Sequence, residues 1–111
     1  MKNMKTFLNW LKTLSSQQGD SLTRKMRVKY NDTYWRGQQN LYVAQWMRSD
    51  FFKMDFIKFM GKYLDEMENP STSERRSNDI SSVILPMYKE ITGRNYDANL
   101  LVAFGIEKPA S

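Results

Sequence analysis

Residues 50–68 read DFFKMDFIKFMGKYLDEME, and this stretch decides the fold class. Phe52, Phe56, Phe59, Met60, Tyr63, Leu64 and Met67 recur at three- and four-residue intervals, the spacing of one helix face. Lys58, Lys62, Asp65 and Glu66 take much of the remaining surface. A stripe this broad predicts a central helix over Asp50–Glu68, contacted from two sides. Lys62 and Glu66 stand one turn apart, a pairing that contributes about 0.3–0.5 kcal/mol. Gly61 costs the helix about 1 kcal/mol relative to alanine. A close helix crossing or an opening for a partner would account for it.

The same periodicity extends outward from this centre. Met4, Phe7, Leu8, Leu11 and Leu14 line one face of an N-terminal helix, which the small polar residues Ser15 to Gly19 should end. Asp20 or Ser21 is then a candidate cap for the next element. Asn40 to Met47 reads as a further helix, with Ser49 and Asp50 placed to cap the one that follows. Residues 69–78 are polar, contain Pro70, Arg75 and Arg76, and form the expected flexible loop. Asn78 or Asp79 would cap a helix towards Ile91, buried through Ile80, Val83, Ile84, Met87, Tyr88 and Ile91. Pro86 should kink or divide it. A last short helix is expected over Ala98–Phe104, followed by a frayed tail at about 107–111.

Residues 23–37 admit two readings. Met26, Val28 and Tyr30 alternate with Lys25, Arg27 and Lys29, as in a strand, and Asn31-Asp32 could turn the chain into a second strand. Leu22, Met26 and Tyr30 also align along a helix. The clustering of aromatic and β-branched residues favours the hairpin. The expected fold is therefore mainly α: a compact four- to five-helix single domain over 1–111, with one β-hairpin at about 23–37. An all-helical bundle is the alternative.

Charge is distributed unevenly along the chain. Residues 1–36 hold eight Lys/Arg against two Asp, net +6, whereas residues 37–111 hold nine against ten Asp/Glu, net −1. The sequence contains neither histidine nor cysteine. Without cysteine there is no disulfide and no thiolate nucleophile or metal ligand. Without histidine the commonest general base and the usual zinc ligand are both missing. These absences point away from an enzyme, and no catalytic residue, metal ligand or cofactor is assigned. No secretory signal pattern is read at Met1–Lys12, and the apolar run Leu100–Ile106 is too short to span a bilayer. A cytoplasmic protein without an integral membrane span is the expectation.

The candidate binding residues are Arg24, Lys25, Arg27, Lys29, Tyr34, Trp35 and Arg36, which mix cations with aromatic rings. Cations displace counterions from an anionic polymer, and planar rings stack on unpaired bases. The bland counterpart is a solvated cationic face with its aromatics packed inward. Arg75 and Arg76 are possible secondary contacts. Phe7, Trp10 and Leu11 could enter a membrane surface or simply the core. A recognition helix at the C-terminal end is rejected, because Ala98–Phe104 is apolar throughout. Asp65, Glu66, Glu68 and Asp79 lack the spacing of a calcium loop. Asp97 with Glu107 and Lys108 only faintly suggests a metal-dependent nuclease.

The expected function is a small non-enzymatic regulatory or inhibitory protein, docking through its basic-aromatic N-terminal surface on an anionic macromolecule. Nucleic acid or nucleoprotein ranks first. The alternative is a protein-interaction or assembly module of the phage or mobile-element accessory type. Such a module would bind an acidic protein or form a homodimer.

Overall fold

A computed structural model describes residues 2–38 and 43–92, with the side chains of residues 2–6 and 92 outside the description. Six helices are found among them: α1 (Lys2–Lys12), α2 (Ser16–Lys29), α3 (Asp32–Arg36), α4 (Ala44–Lys53), α5 (Phe56–Glu68) and α6 (Glu74–Thr92). The described residues contain no strand. The mainly helical expectation therefore holds. The expected helix at Ala98–Phe104 and the tail at 107–111 lie outside the described residues.

The hairpin expected at 23–37 is replaced by α2 and α3, and hydrogen bonds and burial explain why. Ser15 Oγ accepts from the Gln18 N–H at 3.2 Å and Gln18 Oε1 accepts from the Ser15 N–H at 2.9 Å, a reciprocal box that starts α2. The cap is thus Ser15, not Asp20 or Ser21, and Gly19 lies inside the helix beneath Ile57. A strand would have placed Met26, Val28 and Tyr30 on one face. On the helix Met26 and Tyr30 are buried, while Val28 is 77% exposed. Asn31 does not turn a hairpin. Its Oδ1 accepts from the N–H groups of Thr33 at 3.0 Å and Tyr34 at 3.4 Å and caps α3.

The helix expected from Asp50 to Glu68 is broken at Met54-Asp55: residues 50–53 end α4, inside which Ser49 and Asp50 lie instead of capping a new helix, and Asp55 caps α5. Both new ends are satisfied. Asp55 Oδ1 accepts from the Lys58 N–H at 2.9 Å, and Thr23 Oγ1, buried on α2, accepts from the Phe56 N–H at 3.0 Å. Arg27 Nη2 donates to the carbonyls of Phe52 at 3.3 Å and Met54 at 2.9 Å at the end of α4. The break rotates the register, so Phe51 is buried and Phe52 is 39% exposed. Lys62 and Glu66 do not pair with each other. Lys62 Nζ donates to Asp50 Oδ2 at 2.6 Å, and Glu66 forms an ion pair with Arg76.

The loop between α5 and α6 is shorter than the expected 69–78. Ser73 Oγ accepts from the Arg76 N–H at 3.2 Å, so α6 starts at Glu74 rather than after Asn78 or Asp79. The helix continues through Pro86, whose carbonyl accepts from the Tyr30 hydroxyl at 3.2 Å.

α5 is the centre of the assembly and packs against α1, α2, α4 and α6. Phe56, Phe59, Met60, Tyr63 and Leu64 supply its buried surface. Phe59 joins an aromatic cluster, with ring centroids 5.2 Å from Phe51, 5.0 Å from Tyr63 and 6.4 Å from Trp35. At Gly61, a Cβ would sit 3.5 Å from Leu8 Cδ1, an ordinary van der Waals distance. Gly61→Ala should therefore stabilise the fold by about 0.5–1 kcal/mol, the helix-propensity gain. Urea denaturation checks this, and a lowered midpoint would show that α1 and α5 need the glycine.

Candidate functional site

The cationic segment lies on α2, and the helix divides its residues between two roles. Positions 24, 25 and 28 share one outer face at the i, i+3, i+4 spacing, with Lys29 one turn beyond Lys25. Arg24, Lys25, Val28 and Lys29 are all exposed. Together with Met26 and Glu90 they line an open hollow of about 360 Å³ on α2, to which α6 contributes Glu90. Its surface is almost wholly apolar, with Val28 exposed and Met26 buried beneath. At one end Lys29 Nζ lies 2.7 Å from Glu90 Oε1, a pair shared between the two helices.

The remaining predicted residues are elsewhere. Arg27 is half-buried and serves α4 through its two carbonyl bonds. Trp35 is 3% exposed, with its ring 5.4 Å from Phe51. It belongs to the core and would have to leave it to stack on a base. Tyr34 is half-buried, edge-on to Tyr30 at 4.7 Å and to Trp35 at 5.5 Å. Burial raises the pKa of the Tyr34 hydroxyl. Burial, then the charge of Glu90, then Tyr34 raise that of Tyr30. Both phenols therefore stay neutral across the ordinary pH range. Arg36 is exposed on the last turn of α3. The structure thus gathers Arg24, Lys25 and Lys29 and separates them from the aromatic half of the expected site.

Arg75 and Arg76 start α6 on a different part of the molecule. The Arg76 guanidinium lies 4.8 Å from the centre of the Trp46 ring and also pairs with Glu66. With Val43, Ser73 and Asp79 they line a smaller hollow of about 270 Å³. Asp79 thus shares the hollow with the two arginines, and Glu66 offsets the charge of Arg76.

Two residues of the α2 hollow escape a linear reading. Val28 looks inward-facing in an alternating pattern, yet two helical residues are about 200° apart around the axis, which turns Val28 away from Met26. Testing the segment against both periods would have found it. Glu90 is sixty-one residues from Lys29, and no local signal joins them.

Among the described residues, no three acidic side chains converge as a metal ion would require. None of the helices described is long and apolar enough to cross a membrane. Asp97 and Glu107 lie outside the described residues. No family model, curated protein or solved structure matches the chain.

Proposed function

We propose that this is a non-enzymatic binding module that docks the outer face of α2 on an anionic macromolecule, an acidic protein surface in the first instance. The observation that carries the reading is the outer face of α2, where the exposed apolar side chain of Val28 stands among Arg24, Lys25 and Lys29. Protein interfaces combine a desolvated apolar centre with a polar rim. A nucleic-acid backbone presents phosphates and has little use for an exposed valine. Opposite charge on the partner would accelerate encounter, and the contact at Val28 would slow release. Regulation or inhibition of the partner is the role that suits a chain with no assigned catalytic group. The net +6 of residues 1–36 keeps nucleic acid as a second reading, in which Arg24, Lys25, Lys29 and Arg36 contact phosphates.

Charge reversal on the outer face tests this without disturbing the core. The double variant Arg24→Glu with Lys25→Glu should keep the wild-type helical spectrum and lose at least tenfold in affinity for acidic polypeptide, measured by fluorescence anisotropy at low salt. Binding should weaken steeply as salt rises. Labelled single- and double-stranded DNA and RNA form the parallel arm. Stronger binding there than to any acidic polypeptide would transfer the assignment to nucleic acid. Equal affinities of wild type and double variant for every anionic probe would remove the α2 face from consideration.

A further inference from the structure

The chain leaves α6 beside the outer face of α2, and an apolar stretch of sequence follows within reach of that face. We infer that residues 100–106 fold back in cis and cover Val28 and the hollow around it. The cover then competes with a partner for the same surface, a consequence that rests on the docking role proposed for that face. The covering itself does not depend on that role.

Two hydrogen bonds fix where the chain departs. Lys29 Nζ donates to Glu90 Oε1 at 2.7 Å, and the Tyr30 hydroxyl donates to the Pro86 carbonyl at 3.2 Å. Both hold the last turns of α6 against the end of α2, at residues directly following Val28. Ile91 is fully buried. Glu90 lines the hollow, and α6 closes two residues later at Thr92.

Residues 93–99 read GRNYDAN, a polar stretch in which Gly93, Asn95 and Asp97 are residue types that reverse a chain readily. Residues 100–106 read LLVAFGI, with no charged or polar side chain. Such a run is costly to leave in water and gains most by meeting another exposed apolar surface. The eight-residue step from Thr92 to Leu100 spans about 26 Å when extended and much less when turned. Among the described residues Val28 is the most open large apolar side chain, at 77%. Trp46 follows at 52%, but it lies against Arg76, sixteen residues before Thr92 and about 24 Å back along α6. The tether strengthens the selection. A segment joined this closely acts at an effective concentration of about a millimolar, so a contact too weak to form in trans is populated in cis.

The test uses the full chain, whose lack of cysteine makes any introduced pair unambiguous. Val28→Cys with Ala103→Cys should close an intramolecular disulfide under mild oxidation, read by free-thiol titration and non-reducing electrophoresis. Closure should be at least tenfold faster than for Gln45→Cys with Ala103→Cys. Gln45 is exposed next to Trp46, so the control pair reports random collisions of the same segment. Equal rates overturn the cover, and a disulfide-linked dimer in place of the closed monomer overturns its action in cis. For the competition, Leu101→Ser with Phe104→Ser should keep the helical spectrum and tighten binding of labelled poly-glutamate at least threefold. The oxidised Val28→Cys, Ala103→Cys protein should bind it at least threefold more weakly than its own reduced form, a comparison that stands even where the serine variant unfolds. Equal binding by oxidised and reduced forms, with fast closure, upholds the cover and overturns its competition with a partner. The docking role is judged separately. Indifference of every anionic probe to Arg24→Glu with Lys25→Glu sinks that role, and the disulfide result still upholds or overturns the cover.

Discussion

Replacing Trp35 by alanine should cost about 3–5 kcal/mol of folding stability, the usual range for an aromatic removed from a packed core. Trp35 sits between α3 and the aromatic cluster, 5.4 Å from Phe51 and 6.4 Å from Phe59 between ring centroids. It is also edge-on to Tyr34 at 5.5 Å. α3 is five residues long, too short to hold its shape alone, and Trp35 is the residue it buries. A small domain has only some 5–15 kcal/mol of total stability, so the variant should be partly unfolded at ordinary temperature. Trp35→Phe should cost much less. It keeps an aromatic ring, and the indole N–H makes no hydrogen bond among the described residues. Urea denaturation followed by circular dichroism reads both. If Trp35→Ala instead keeps full stability and loses only affinity for an anionic probe, Trp35 is a contact residue and not a core one.

The second large effect is expected at Asp50, where one carboxylate fastens α4 to α5. Asp50 Oδ2 accepts from Lys62 Nζ at 2.6 Å and from the Tyr63 hydroxyl at 2.5 Å. Tyr63 is 2% exposed, so its hydroxyl has little access to water if the carboxylate is lost. Asp50→Ala should therefore cost about 1.5–3 kcal/mol, the value of a hydrogen bond to a charged group plus an orphaned buried donor. Tyr63→Phe removes donor and orphan together and should cost less.

The same carboxylate gives the fold an acid limit. Burial pushes its pKa up, but hydrogen bonds from Lys62 and Tyr63 and the charges of Lys62 and Lys53 outweigh it, and the pKa falls below the ordinary 3.8. A carboxyl whose folded pKa is depressed binds protons more readily when unfolded. Its contribution is complete above the unfolded value and is lost as pH falls through the folded one. Stability should thus decline below about pH 4, and Asp50→Asn should flatten that part of the profile. Burial acts in the same direction on Tyr63 as its bond to Asp50, raising the phenol's pKa, so no compensating change occurs on the alkaline side near neutrality. A wild-type profile that matches Asp50→Asn below pH 4 would show that the carboxylate contributes no acid sensitivity.

Residue spacing alone was enough for the helical class and for the central place of the second half of residues 50–68. Phe56, Phe59, Met60, Tyr63 and Leu64 are all buried on α5, as their intervals require. The face of α6 was equally legible, with Ile80, Val83, Ile84, Met87 and Ile91 all in the core. Such patterns survive because burying an apolar stripe dominates the energetics of any helix long enough to present one.

Ambiguity remained wherever two periods fitted the same few residues or a distant group satisfied a chain end. Segment 23–37 carried both a strand and a helix pattern. The Ser15–Gln18 box and the docking of Met26 and Tyr30 on neighbouring helices decided for the helix. The break at Met54-Asp55 depended on Thr23 and Arg27, some thirty residues earlier, supplying bonds to the new helix ends. Linear proximity of cations and aromatics suggested one surface, but a helix turns neighbours in sequence to opposite sides. Thus Trp35 is buried, Arg27 serves α4, and Val28 stands on the outer face between Arg24, Lys25 and Lys29. The sequence by itself determined which faces must be buried, since that follows from local spacing. Only the tertiary structure decided which cations lie on the outer face of α2 and which, like Arg27, are drawn into the ends of another helix, because those bonds join residues far apart in the chain.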